Sequence, residues 1–229
     1  MKQMAQNALR PAYHLMLRLI RESAIVAYVR KARQELLESR NESIWRQKGS
    51  PAPPPARFKR RFLRNLAVEH KLRVFVETGT LHGETIEALE NCFLEIYSIE
   101  LDDSLFRNAQ SKFKNSKTIR LRKGDSAEQL PKVLCEIRQP ALFWLDAHYS
   151  GVGTARGQQD TPILIELSAL ACHSLHHKHV IVIDDARDFN GTDGYPTLEE
   201  LRAQASSLGF NSFRLSFDMI VFQWGDTSL

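Results

Sequence analysis

A chain of 229 residues, 43% hydrophobic and 25% charged, has the length of one large domain or of a domain with an appendage, and an ordinary globular composition. No uncharged apolar run approaches the roughly 18 residues that span a bilayer, and no compact apolar core with a small-residue cleavage site marks a secretory signal. The formal net charge of +4 hides an asymmetry: residues 1–61 hold 14 Lys and Arg against 4 Asp and Glu, a balance of +10, and the remainder carries 17 against 23, a balance of −6.

A basic tail on a mildly acidic body points to a membrane surface, a polyanion or plain solvation as the tail's partner. Leu9, Tyr13, Met16, Ile20, Ala24 and Ala27 recur at helical spacing, so residues 11–38 are expected to form an amphipathic helix with Pro11 in its first turn. Arg10, Arg18, Arg21, Arg30, Lys31 and Arg33 flank its apolar stripe. Such a helix packs on the body, joins two subunits in a homo-oligomer, or rests peripherally on anionic lipid at the inner membrane surface of a cytoplasmic protein. QKGSPAPPPARF, residues 47–58, carries Pro51, Pro53, Pro54 and Pro55, which favour extended geometry and mark a linker. The expected division is therefore a basic helical extension and Pro-rich linker over 1–57 and a body over 58–229, opened by a basic helix at 57–70.

The body alternates. Strand-like runs stand at 72–77, 94–100, 118–125, 141–148 and 179–186, with helical patterns between them. That alternation predicts a parallel sheet with helices on both faces. After the helical TLEELRAQASSL come SFRLSF (212–217) and MIVFQW (219–224), joined by little more than Asp218, an antiparallel hairpin at the sheet edge. The predicted fold is α/β: a Rossmann-like doubly wound sheet of about seven strands with an antiparallel terminal hairpin, preceded by the N-terminal helical extension. Cys92, Cys135 and Cys172 are far apart, form no CxxC and are odd in number. They are expected to be small, buried or half-buried thiols in a reducing compartment. His173, His176, His177 and His179 are expected at an exposed helix end rather than around a metal.

In open α/β sheets ligands bind beyond the carboxyl ends of the strands. The first strand runs into ETGTLHGE, where Glu77 ends the strand, Gly79 and Thr80 follow, and Gly83 opens the next helix. Glycines there let the backbone turn sharply and approach a ligand. The Gly79-x-x-x-Gly83 spacing is not the GxGxxG that admits a pyrophosphate, and suits an adenosine-bearing ligand without one. Glu77 could hold a cationic amino group. Glu100, at the end of the second strand, could accept two hydrogen bonds from a ribose diol, and Asp125 with Ser126, at the end of the third, could meet an adenine amino group. Each strand-final acid could also be an ordinary helix cap.

These residues, and the terminal hairpin, make residues 70–224 resemble the class I S-adenosylmethionine-dependent methyltransferases. The resemblance implies that ETGTLHG is the cofactor loop, Glu100 the ribose acid and Asp125 the adenine contact, with S-adenosyl-L-methionine as cofactor.

In FWLDAHYSG, residues 143–151, Asp146 and His148 share a face if the strand persists, because alternate side chains of a strand do. HVIVIDDARDF brings Asp184 and Asp185 to the same rim. Three converging carboxylates repel unless a cation joins them, and a hard divalent ion such as Mg²⁺ accepts carboxylate oxygens. Such an ion would lower the pKa of an acceptor hydroxyl, and His148 is a suitable base near neutral pH. The segment after the strand, with Tyr149 and Arg156, reads as a substrate-covering loop. This pattern resembles the metal-dependent sugar O-methyltransferases of the macrocin type and the cephalosporin hydroxylase-like relatives of that fold. The resemblance implies Asp146, Asp184 and Asp185 as metal ligands and His148, with Asp146, as the catalytic pair.

The sequence therefore reads as an S-adenosylmethionine-dependent O-methyltransferase with divalent-metal assistance, acting on a small-molecule or glycan acceptor: a sugar, another small polyol or a phenol. Nucleic acid is not the expected acceptor, since the fourth strand lacks the Asn/Asp-Pro-Pro-aromatic element of amino-methylating enzymes. Two other readings stand beside it. One is a nicotinamide-dependent oxidoreductase, which Glu100 would serve equally well. The other is a non-catalytic cofactor-binding protein anchored by its basic tail.

Overall fold

The computed structural model describes residues 25–26, 28–146, 162–192 and 194–224, so the predicted site residues His148, Tyr149 and Arg156 lie outside the described residues. The chain divides into two compact units, Met1–Ser50 and Pro51–Leu229.

In the first unit a helix, α1, runs over residues 28–47, nine residues past the predicted end at 38; its predicted start lies outside the described residues. The added stretch holds no Gly or Pro, and side chains one turn apart support it. Gln34 reaches Glu38 at 3.4 Å, Ser43 Oγ donates to the Ser39 carbonyl at 3.0 Å, and Arg46 donates to Glu42 at 3.1 Å. The helix stops where Gly49 and Ser50 take positive φ and Pro51 follows. No helix among the described residues is long and apolar enough to cross a membrane.

The second unit is a seven-stranded sheet. Its elements are α2 (Ala56–Glu69), β1 (Val74–Thr78), α3 (Glu84–Leu89), β2 (Glu95–Glu100), α4 (Asp103–Lys112), β3 (Ile119–Lys123), α5 (Ser126–Leu134), β4 (Ala141–Leu145), α6 (Ile163–Ala171), β5 (Val180–Ile183), α7 (Leu198–Ser207), β6 (Ser212–Ser216) and β7 (Met219–Gln223). The order is β3-β2-β1-β4-β5-β7-β6, with β7 antiparallel to both β5 and β6 and the other pairs parallel. All five predicted parallel strands and the hairpin are present. The strand predicted over 141–148 ends at Leu145, so Asp146 stands one residue beyond it.

Every residue of β1, β4 and β5 is buried, as expected of strands covered on both faces. Val74, Val76, Tyr97, Phe143, Leu145, Ile181 and Ile183 form one core with Leu130 and Val133 of α5, Leu167 and Leu170 of α6, and Leu201 of α7. The alternate residues, Phe75, Leu142, Trp144 and Val182, are buried on the other face, where α2 packs against β4 and α3. One turn needs special backbone. Gly83 has φ of 67°, and a Cβ there would lie 2.6 Å from Cε2 of Phe113, so ring packing as well as conformation requires glycine.

Two expectations are corrected. Cys135 and Cys172 are exposed and Cys92 is half-buried, because Cys135 and Cys172 stand at helix C-termini that face solvent. The histidines are not all at an exposed helix end. His179, at the entrance to β5, is only 2% exposed. Its Nδ1 accepts the Ala141 N–H at 3.1 Å, so Nε2 keeps the ring proton and faces His173 Nδ1 at 2.8 Å. The imidazole thus satisfies a backbone donor at the first residue of β4, at the end of the sheet away from the acids.

Burial holds the His179 pKa down at about 3, with the neighbouring histidines adding to the shift. The unfolded chain, with an ordinary value near 6.5, binds the proton more tightly, so the His179 contribution is complete above pH 6.5 and is lost as pH falls toward 3. We expect the unfolding free energy to drop by about 2 kcal/mol from this group between pH 7 and pH 5. The His179→Asn variant, whose Oδ1 can take the place of Nδ1, should lose much of that slope when urea melts are compared at the two pH values.

Candidate active site

The cofactor side is built at the ends of β1 and β2. The chain leaves β1 through Gly79, at φ 89°, and Leu81, at φ 50°, which fold the loop back over β2. The Gly79 and Thr80 amides donate to the Ile99 carbonyl at 2.9 and 3.2 Å, and the Gly83 amide donates to the Thr80 carbonyl at 2.8 Å. These loop amides are therefore used within the protein, and the loop offers shape and side chains rather than an amide cradle. Glu100 is buried, with Oε2 accepting the Leu81 N–H and Oε1 the Asp102 N–H, each at 2.8 Å. A carboxylate oxygen has two acceptor positions, so each keeps one that suits a ribose hydroxyl. The two backbone bonds fix the carboxylate's direction. The set thus fits an adenosine-bearing cofactor.

Beneath the loop runs a buried polar chain. Thr80 Oγ1 meets Ser98 Oγ at 2.6 Å, and Ser98 Oγ donates to Glu77 Oε2 at 2.7 Å. Glu77 is 1% exposed, and burial above all pushes its pKa up to about 8, with the charges of Asp146 and Glu100 adding to the shift. Trp144 stands in register with Glu77 across β1 and β4, and among the described residues its buried Nε1 has no hydrogen-bond partner. Asp125 follows Gly124 at the end of β3 and caps α5, accepting the Ala127 N–H at 2.9 Å through Oδ1. Ser126 is buried as the first residue of that helix.

The reaction side lies beyond β4 and β5. The Asp146 amide donates to the Thr78 carbonyl at 3.1 Å and to Thr78 Oγ1 at 3.2 Å, which ties the start of the loop after β4 to the end of β1. Asp184 follows β5, is 3% exposed, and accepts the Asp185 N–H through Oδ1 at 2.9 Å. Asp185 takes a left-handed φ of 53°, which turns its carboxylate back beside Asp184. One carboxylate oxygen from each of Asp146, Asp184 and Asp185 lies within 4.8 Å of the others. The structure thus brings together the three acids that the sequence singled out.

The same structure supplies cations. Lys59 of α2 places Nζ 2.5 Å from Asp184 Oδ2 and 3.2 Å from Asp185 Oδ1. Arg187 donates from Nη1 to Asp185 Oδ1 at 2.8 Å and also to Asp218 Oδ2, while its backbone N–H donates to Asp218 Oδ1 at 3.0 Å. Burial raises the Asp184 pKa to about 6, opposed by Lys59 and reinforced by Asp185. Burial works against the Lys59 charge, yet Asp184, Asp185 and Asp146 more than offset it and raise its pKa. Arg187 Nε also lies 3.7 Å from Asp188 Oδ1. Three hard oxygen donors at this spacing fit a divalent ion in number and chemistry.

Sequence reasoning missed Lys59, Ser98, Arg187 and Asp218. Ser98 had a signal: a hydroxyl two residues before Glu100, on the same face of an otherwise apolar strand. Lys59 had none, being one cation of several in RFKRRFLR.

No protein-family model and no curated protein matches the sequence. Solved structures do match the fold. The S-adenosylhomocysteine-bound methyltransferase PaMTH1 of Podospora anserina is similar at 16% identity with a TM-score of 0.52, covering 80% of this chain and 86% of that one. A candidate caffeoyl-CoA O-methyltransferase of Staphylococcus aureus is similar at 13% identity and a TM-score of 0.51, covering 85% and 99%. TomG of Streptomyces achromogenes, an O-methyltransferase of tomaymycin synthesis in complex with S-adenosylmethionine, is similar at 15% identity and a TM-score of 0.50, covering 82% and 89%. The chain has the Rossmann-like class I methyltransferase fold.

Glu77 gives a test of the buried polar chain. Its folded pKa of about 8 lies above the ordinary value near 4.5, so its protonated form is favoured by folding. That contribution is complete below pH 4.5 and is lost as pH rises through 8. Glu77→Gln imitates the protonated group, and in chemical denaturation it should exceed the wild type by about 4 kcal/mol at pH 8 and match it at pH 4.

Proposed function

We propose that the chain is an S-adenosylmethionine-dependent O-methyltransferase acting on a hydroxyl of a sugar or other small polyol or phenol. One observation carries this reading. In a class I methyltransferase sheet, an oriented acid at the end of β2 lies on the same rim as three clustered carboxylates beyond β4 and β5. On this reading the ribose would sit at Glu100 and the acceptor two strands away, at the carboxylates.

When bound, the cofactor would supply a methyl group on a sulfonium centre. Glu100 would hold its ribose diol, and Gly79 and Gly83 would shape the loop over it. Glu77, beneath Thr80 and Ser98, would hold the cofactor's amino group, directly or through water. Asp125, which caps α5 at the end of β3, would meet the adenine amino group. A divalent ion held by Asp146, Asp184 and Asp185 would lower the pKa of the acceptor hydroxyl. His148, two residues after Asp146 in the sequence, is the proposed base that takes the hydroxyl proton.

Titration calorimetry should show S-adenosylhomocysteine binding and no NAD binding; the reverse pattern sinks the methyltransferase reading in favour of an oxidoreductase. Glu100→Ala should weaken S-adenosylhomocysteine about tenfold or more, the cost of one charge-assisted pair of hydrogen bonds. Asp146→Asn should leave that affinity within about threefold while lowering product formation across a panel of sugars and phenols by about 100-fold. Full activity of the variant would remove Asp146 from the chemistry.

A further inference from the structure

The acid cluster holds a cation of the chain's own. Lys59 Nζ contacts Asp184 and Asp185, two of the three carboxylates within reach of a common ion. The contact spans 125 residues of sequence and has a fixed frame. Lys59 projects from α2, which is anchored by the buried Phe58, Leu63 and Leu66, and its side chain is 16% exposed. Phe58 further packs edge-on against Phe217 of the terminal hairpin, with ring centroids 4.6 Å apart. This lysine is thus seated among the acids and is not a surface charge that happens to lean toward them.

The geometry points to Lys59 as a tethered counter-cation that competes with a divalent ion for Asp184 and Asp185 and so sets the metal affinity of the site. This rests on the proposed role of the three carboxylates as ion ligands. An ion bound to Asp184 would stand about 2.0–2.6 Å from a carboxylate oxygen, the distance at which the Lys59 ammonium already sits. The two cations cannot share that oxygen pair, so the lysine must withdraw before the ion takes its full set of ligands. Arg187 does not substitute for it. Its guanidinium is shared among Asp185, Asp188 and Asp218, and Asp184 is not among its described partners. A site held in this way keeps its acids in place with no ion bound and admits one only where the ion exceeds the lysine in free energy.

Mn²⁺ is the probe, with free ion followed by electron paramagnetic resonance in titrations of the full chain. The wild type should bind Mn²⁺ weakly. Lys59→Met should bind it at least about tenfold more tightly, the gain from removing one competing charge. Lys59→Arg, which keeps the charge, should stay near the wild type, and adding Asp184→Asn to Lys59→Met should abolish the gain. Equal affinities for wild type and Lys59→Met, whether strong or absent, overturn the proposal. Because Lys59→Met leaves its acids without their partner, melting is followed in parallel. Mn²⁺ should raise the melting midpoint of Lys59→Met more than that of the wild type, and a variant that stays unfolded with and without Mn²⁺ counts against the proposal. Calorimetry with S-adenosylhomocysteine on the same proteins separates the two readings. Lys59-dependent Mn²⁺ binding without cofactor binding leaves the lysine role standing and removes the methyltransferase one. The opposite pattern removes only the lysine role.

Discussion

The site depends on the parallel pairing of β1 with β4. These strands run side by side from Val74 opposite Ala141 to Thr78 opposite Leu145. The contact continues one residue further, where the Asp146 amide donates to both the carbonyl and the hydroxyl of Thr78. The chain reverses its direction of travel across the sheet at this point, with β2 and β3 to one side of β1 and β5, β7 and β6 to the other side of β4. In open α/β sheets such a switch in strand order marks where ligands bind, beyond the carboxyl ends of the strands. Glu100 stands on one side of it and Asp184 on the other, each on a strand whose apolar residues are nearly all excluded from water.

Burial then dictates the electrostatics. Glu77, Glu100 and Asp184 sit where the sheet gives way to the loops, and none of them exceeds 6% exposure. Each meets the cost of that position differently. Glu100 remains oriented by two backbone donors, Glu77 holds its proton to about pH 8 beneath Ser98, and Asp184 borrows an ammonium from α2. A carboxylate that accepts oriented donors is ready to accept ligand hydroxyls. One that shares an ammonium is ready for cation exchange. The cofactor side and the reaction side thus differ in the means by which their acids are satisfied.

Much of this was legible in the sequence. The runs of Val, Ile, Phe and Leu ending in a single acid specified buried parallel strands and placed Glu77, Glu100, Asp146 and Asp184 at one rim. Period and terminal residue together carried that information. The pair SFRLSF and MIVFQW gave the edge hairpin. The limits were set by long range and by backbone detail. Nothing local in RFKRRF distinguishes Lys59 from Arg57, Arg60 or Arg61, because its partner lies 125 residues away. Asp218 is the turn residue it reads as, and it also anchors Arg187, 31 residues away. The histidines around His179 read as a polar helix end because the sequence does not show that the β4 amide at Ala141 lacks a strand partner and takes an imidazole in its place. The end of α1 was placed too early because its apolar stripe fades while its side-chain pairs continue.

The link from Arg187 to Asp218 has a consequence for the order of assembly. Asp218 lies in the tight turn between β6 and β7, and it holds both the backbone and the guanidinium of Arg187, which in turn steadies Asp185. Lys59 joins the same cluster from the first helix of the body. The cluster is therefore completed by Lys59 from one end of the fold and by Asp218, which anchors Arg187, from the other, and a ribosome delivers these from N-terminus to C-terminus. Until the last hairpin has emerged and paired with β5, Arg187 lacks its Asp218 anchor, and the early strands wait on contacts of very long sequence separation. The rim is thus among the last parts of the molecule to reach its final geometry, and a nascent chain without β6 and β7 carries its acids without a finished site.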